Sequence, residues 1–175
     1  GTHSITYHYM DAFGCSNEKT KAISVNALPT ITLSNLNTVC NSSASFTLTN
    51  GSPYGGTYSG LGVSGMQFNP IVAGVGTHYI TYTFTDQNAC TNSDSTQIIV
   101  NSSPVANAGT NQQINMNTTA NLNGSATGGS GNYSYLWSPA SMLSNANISN
   151  PVTTSLTTSQ LYQLKVSDTQ TQCSD

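Results

Sequence analysis

Short runs in which apolar and polar residues alternate recur along the chain. "SITYHYM" (4–10), "SFTLT" (45–49), "HYITYTFT" (78–85), "STQIIVN" (95–101) and "LYQLKVS" (161–167) are rich in Thr, Tyr, Ile, Val and Phe. A period of two with β-branched and aromatic residues is the signature of a strand with one face buried. Clusters of turn formers separate the runs: "TNGSPYGG" (49–56), "SGLGVSG" (59–65), "DQNAC" (86–90) and "ATGGSGN" (126–132). Asn50-Gly51 and Asn123-Gly124 suit turns that need positive φ. No stretch carries a clear helical period; "SPASMLSNANI" (138–148) leaves room for one short turn. Many short strands at regular spacing predict an all-β fold of Ig-like sandwiches.

The chain also repeats itself. "GTHSITYHYMDAFGC" (1–15) returns as "GTHYITYTFTDQNAC" (76–90), and an ungapped alignment running to Pro29 and Pro104 gives thirteen identities over twenty-nine positions. A fixed period of this length marks a tandem array. It sets the expected boundaries: residues 1–28 as the closing strands of one domain, 29–103 as a complete domain, and 104–175 as a third. In the third, "LYQLKVSDTQTQC" follows the same order of strand, Asp, turn and Cys, with one extra residue in the turn, and the strand corresponding to "STQIIVN" is not expected within it. The junctions "VNALP" and "VNSSP" are short and end in Pro, which predicts a semi-rigid, rod-like array.

Charge is nearly absent. Charged residues are 5% of the chain, the net charge is -3, and the cations are Lys19, Lys21 and Lys165. Nucleic-acid binding needs clustered cations to neutralise phosphates, so that class is excluded, as is an anionic membrane patch. No apolar run is long enough for a membrane helix. Ser, Thr and Asn supply 70 of the 175 residues, so hydroxyls and amides hydrate the surface. Hydrophobic residues are still 36% and periodic, which argues against disorder.

Four cysteines, Cys15, Cys40, Cys90 and Cys173, are too widely spaced for a Cys-x-x-Cys metal or redox pair. Structural disulfides, an oxidising compartment and export are the expectation. Within 29–103 the pair is Cys40 and Cys90, a bridge that would stabilise by about 3–4 kcal/mol on chain-entropy grounds. Cys15 and Cys173 are then unpaired within the segment, Cys173 being free or bonded beyond it, between subunits included.

Other candidate chemistry is sparse. Asp11, Asp86 and Asp168 open equivalent turns; an Asp bonding its own backbone N–H groups explains them, and calcium is the competing ligand. His3, His8 and His78 have no ligand cluster around them. The Gly-rich stretch 50–65 lacks the Lys and following helix of a phosphate loop. Ser residues have no oriented His base, and six acids spread over three domains do not make a paired-carboxylate cleft, so no enzyme is expected and no cofactor. Tyr133, Tyr135 and Trp137 share one face of a strand, a face that is either core or a sugar-stacking platform. Asp94-Ser95-Thr96 approximates an Asp-Ser/Thr-apolar O-glycosylation signal at Ser95, although Thr96 fits the apolar position poorly.

Residues 104–168 resemble the PKD-type Ig-like domains of secreted Bacteroidota proteins. The marks are Ala108-Gly109, Gly124-Ser125, Tyr135-x-Trp137-Ser138-Pro139, Asn150-Pro151 and Tyr162-x-Leu-x-Val-x-Asp168. Where that family commonly has Trp-Asp-Phe-Gly-Asp-Gly, this chain has Trp-Ser-Pro, so no role of those acids carries over. The stretch from "VCNSSASF" to "STQIIVN" is similar to Ig-like repeats of the same proteins. The resemblance implies tandem domains of very long surface adhesins, as in gliding flavobacteria, or spacers in secreted enzymes, exported by the type IX system. The expected function is a stalk segment of an adhesin or filament at the cell surface, with neighbouring repeats as partners. Two other readings stand beside it: a carbohydrate-binding module or spacer, with surface polysaccharide as ligand, and a subunit polymerising by strand exchange.

Overall fold

A computed structural model describes residues 1–175, and its fold is nearly all β. The first two strands are β1 (Thr2–Met10) and β2 (Ser16–Ser24), an antiparallel hairpin with Thr2 opposite Ser24 and Met10 opposite Ser16. Every residue of both strands is exposed, Ile5 and Tyr7 included.

Short strands follow: β3 (Thr32–Leu33), β4 (Val39–Cys40), β5 (Phe46–Thr47), β6 (Gly51–Ser52), β7 (Thr57–Ser59), β8 (Val63–Ser64) and β9 (Gln67–Phe68). One helical turn, α1 (Pro70–Ala73), precedes the long strands β10 (Gly76–Thr85) and β11 (Thr91–Asn101). Asn69 caps α1 by accepting from the N–H groups of Ile71 and Val72, and Pro70 takes the first helical position, where no donor is needed. A four-stranded sheet runs in the order β4-β11-β10-β7, with β4 parallel to β11 and the other pairs antiparallel. A three-stranded sheet, β5-β9-β8, and the β3-β6 pair complete the sandwich-like arrangement.

The alternation read from the sequence is what fills this core. Ile80 and Tyr82 of β10 and Ile98 and Val100 of β11 are buried, and they pack with Leu48, Tyr58, Phe68 and Ala73. Tyr82 keeps its polar end satisfied: its hydroxyl bonds the Pro53 carbonyl and accepts from Gly56 N–H. Gly56 must approach this closely, since a Cβ there would collide with the Tyr82 ring. The β10-β11 register is the β1-β2 register shifted by seventy-five residues, Thr77 standing opposite Ile99 as Thr2 stands opposite Ser24.

The C-terminal part has β12 (Pro104–Asn107) paired with β13 (Ser125–Gly128), and β14 (Tyr133–Ser138) paired with β15 (Gln163–Asp168). Isolated bridges tie the long loops, among them Asn121 to Val152 and Thr118 to Leu156. A single 3-10 turn, Ala140–Met142, is what the "SPASMLSNANI" stretch forms. Trp137, Val166 and Cys173 are buried here, together with Asp168. Gly124 lets the indole in: a Cβ would lie 2.6 Å from the Ser149 carbonyl oxygen and 2.7 Å from Trp137 Cζ2.

Candidate functional site: the aspartate turn and its cysteine

One local structure occurs three times. Asp11 Oδ1 accepts from the N–H groups of Phe13 and Cys15, both at 2.9 Å. Asp86 Oδ1 accepts from Asn88 at 2.8 Å and Cys90 at 2.9 Å. Asp168 Oδ1 accepts from Gln170 at 2.9 Å and Thr171 at 3.1 Å, and in this longer turn the Cys173 N–H donates to the Thr171 hydroxyl at 3.4 Å. In each turn the Asp N–H donates to the carbonyl of the Cys. Immediately before each Cys stands a residue of positive φ: Gly14 at 83°, Ala89 at 60° and Gln172 at 63°. Asp is suited to this position because its short carboxylate reaches the N–H groups two to four residues on. These acceptors are used by backbone donors, and no three His, Cys, Asp or Glu side chains converge anywhere to hold a metal.

Asp168 has more than its own turn. Both the backbone N–H and the hydroxyl of Ser130 donate to it across the fold. That N–H bond, with the hydroxyl and the Gln170 and Thr171 N–H groups, outweighs the effect of burial and lowers its pKa to about 2.

The cysteine pairing differs from the sequence expectation. Cys40 is bonded to Cys173, 133 residues away, with Cα atoms 5.6 Å apart. Cys15 and Cys90 carry free thiols, exposed and half-buried respectively. The expected Cys40–Cys90 bridge does not form, and Cys173 is not unpaired. Geometry decides this. Cys90 precedes β11, whereas Cys40 stands opposite Asn101 at the far end of that strand. At about 3.3 Å per residue the strand separates them by roughly 35 Å, several times the reach of a disulfide.

The region around Cys40 clamps the connection between the two parts of the chain. Asn41 N–H donates to the Asn101 carbonyl at 2.8 Å. Ser103 N–H donates to Asn41 Oδ1 at 2.9 Å, and the Ser42 and Ser103 hydroxyls meet at 2.7 Å. The "VNSSP" segment (100–104) is thus held by hydrogen bonds as well as spanned by the disulfide.

The other sequence candidates are dispersed. Trp137 is buried, its Nε1–H donating to the carbonyls of Ile148 and Ser149, so it is core and no part of a sugar platform. Tyr133 and Tyr135 are half-buried on the same face and meet edge-on, with centroids 6.4 Å apart. Ser95 is exposed on β11, its hydroxyl 2.9 Å from that of Thr81. His78 Nε2 lies 2.8 Å from the Gly74 carbonyl oxygen, while His3 and His8 are exposed. In the Gly-rich stretch Tyr54 is exposed and Tyr58 buried.

An open cavity of about 670 Å³ that no sequence feature marks is lined by the 108–116 and 156–162 loops together with Trp137 and Leu122. The Tyr162 hydroxyl at its edge is buried without a hydrogen-bond partner, and that burial raises its pKa. No helix is long and apolar enough to cross a membrane.

No protein-family model matches the chain, and no curated protein matches it. Among solved structures it is similar to one described as "Ca2+-stabilized adhesin helps an Antarctic bacterium reach out and bind ice". The identity is 14% and the TM-score 0.33, over 96% of this chain and 53% of that one, so the chain spans about half of that structure's length. A likeness this distant says nothing about what the chain binds.

Proposed function

We propose that the chain is a non-enzymatic stalk segment of a bacterial cell-surface adhesin or filament, built from tandem Ig-like units and working outside the cell. The observation that carries this reading is the Cys40–Cys173 bond. It closes a covalent loop over residues 40–173, which takes in nearly all of the middle and C-terminal β structure. A chain pulled at its two ends then transmits tension through the disulfide, while the strands between the two cysteines are shielded. That is a property of a load-bearing spacer. A stable structural disulfide belongs to an oxidising compartment, consistent with export. The surface of Ser, Thr and Asn with few charges gives a spacer whose solubility depends little on ions. The resemblance of residues 104–168 to PKD-type domains of secreted Bacteroidota proteins fits the same picture, with type IX export and neighbouring repeats of the same chain as partners.

A carbohydrate-binding module is the competing class, and a glycan panel probed with the isolated chain separates the two. The stalk reading expects binding no greater than that of an unrelated β-sandwich. Clear binding abolished by Tyr133→Ala or Tyr135→Ala would overturn it.

Strand exchange between copies of the chain is a further alternative. Light scattering decides: concentration-dependent oligomers support exchange, and a monomeric mass removes it.

A further inference from the structure

We infer that Cys90 is one half of a disulfide to a Cys40-type cysteine, carried by a copy of the repeat on its N-terminal side. Successive units are then joined by one covalent bond across each junction. The inference rests on the repeat division used above. It does not depend on what a stalk presents or binds.

The first support is the turn. Cys90 and Cys173 each close an aspartate-anchored turn, that of Cys173 one residue longer, and each is preceded by a residue at φ near 60°. Cys173 is bonded to a cysteine that precedes the linker, and its own turn lies beyond that linker. Cys90 has the same relation to the linker "VNALP" (25–29) that Cys173 has to "VNSSP" (100–104). The two linkers are equal in length.

The docking of each turn on its linker is the second support. The residue two places after the cysteine reaches back in both cases. Asn92 Nδ2 donates to the Pro29 carbonyl at 3.0 Å. Asp175 Oδ2 accepts from Ala106 N–H, just past Pro104, at 2.7 Å. Both turns therefore sit against the start of their own unit.

A third support comes from the far side of the junction. Cys40 is placed by parallel pairing with Asn101, at the end of β11. Asn26 holds the repeat-equivalent position beyond β2, whose register with β1 matches that of β11 with β10. A Cys40-type cysteine paired at Asn26 would stand to Cys90 as Cys40 stands to Cys173. The alternative partner, Cys40 of the same unit, is excluded by the length of β11. By the same equivalence Cys15 is the corresponding half for the junction before it.

The chemistry is thiol–disulfide exchange. The two cysteine thiols lose two protons and two electrons and form one S–S bond. The S–S bond of an oxidant, a small-molecule disulfide such as oxidised glutathione, accepts those electrons and breaks to two thiols.

The test duplicates residues 29–103 in place within the full chain. The upstream copy carries Cys90→Ser, so one Cys90 remains, and Ala44→Gly as a mass tag beside its Cys40; Ala44 is exposed. After oxidation in a glutathione buffer, unreduced chymotryptic peptides are mapped by mass spectrometry. The expected result is the tagged Cys40 peptide joined to Cys90 in most molecules, with the untagged Cys40 joined to Cys173. Cys90 recovered alkylated, or joined to the untagged Cys40 of its own copy, would overturn the inference. The unmodified chain gives a second measurement that does not depend on how the duplicated form folds. Cys40 joined to Cys173 with Cys15 and Cys90 alkylated supports the pairing scheme; Cys40 joined to Cys90 overturns it.

Discussion

The Asp168 carboxylate accepts both the backbone N–H and the hydroxyl of Ser130, thirty-eight residues earlier, while its Oδ1 also anchors its own turn. Asp11 and Asp86 anchor their turns without such a long-range partner. The third copy of the turn thus also fastens the 128–132 loop to the β15 end.

A pH dependence follows from that contact. The folded-state pKa of Asp168 is lowered to about 2 from an ordinary value of 3.8. A depressed carboxylate favours the folded state above the unfolded pKa, and this contribution is lost as pH falls from about 4 to about 2. Thermal melts over that range should show Tm falling with acid, and Asp168→Asn should flatten the fall. Equal slopes for the two proteins would contradict the assignment.

Ile5 and Ile80 occupy the same repeat position in opposite environments: Ile5 is 59% exposed and Ile80 fully buried. Ile80→Ala should cost about 2–5 kcal/mol through lost burial and the cavity left behind. Ile5→Ala should change stability by under about 0.5 kcal/mol. Urea unfolding monitored by tyrosine and tryptophan emission measures both.

The Tyr82 hydroxyl is a second sensitive point in that core. Tyr82→Phe removes the acceptor of Gly56 N–H and the donor to the Pro53 carbonyl. A cost of about 1–3 kcal/mol is expected from the groups left unpaired, read by the same unfolding curve.

Cysteine variants separate the bonded pair from the free thiols. Cys173→Ser should destabilise by about 2–5 kcal/mol, as loss of a long-loop disulfide does. Cys90→Ser in the isolated chain should be near neutral, because its thiol has no partner there. A large loss from Cys90→Ser and none from Cys173→Ser in denaturant titrations would reverse the assignment.

Much of the β structure was legible because it obeys simple periodicity. "HYITYTFT" alternates, and its Ile80 and Tyr82 are the core positions. The seventy-five-residue repeat carried even the hairpin register. The two-residue strands β3, β4, β6, β8 and β9 are too short to show any period; tertiary pairing alone makes them strands. The α1 turn was missed for the same reason, although Asn69-Pro70 is a readable cap and first position. The disulfide is not legible in the sequence because nearness along the chain does not give nearness in space. The Asp-turn-Cys element opens β11 whereas Cys40 pairs with its end, and only the pairing of β4 with β11 reveals this. For Trp137, the face shared with Tyr133 and Tyr135 fits core and platform alike, and its enclosure behind Gly124 decides for core.

Stretching single molecules by their two ends, before and after reduction, tests the load-bearing role most directly. The Cys40–Cys173 bond hides the chain between those residues from extension. Reduction should therefore release roughly 45 nm of additional contour length, at about 3.5 Å per residue. Equal contour lengths in oxidised and reduced protein would contradict the covalently shielded stalk.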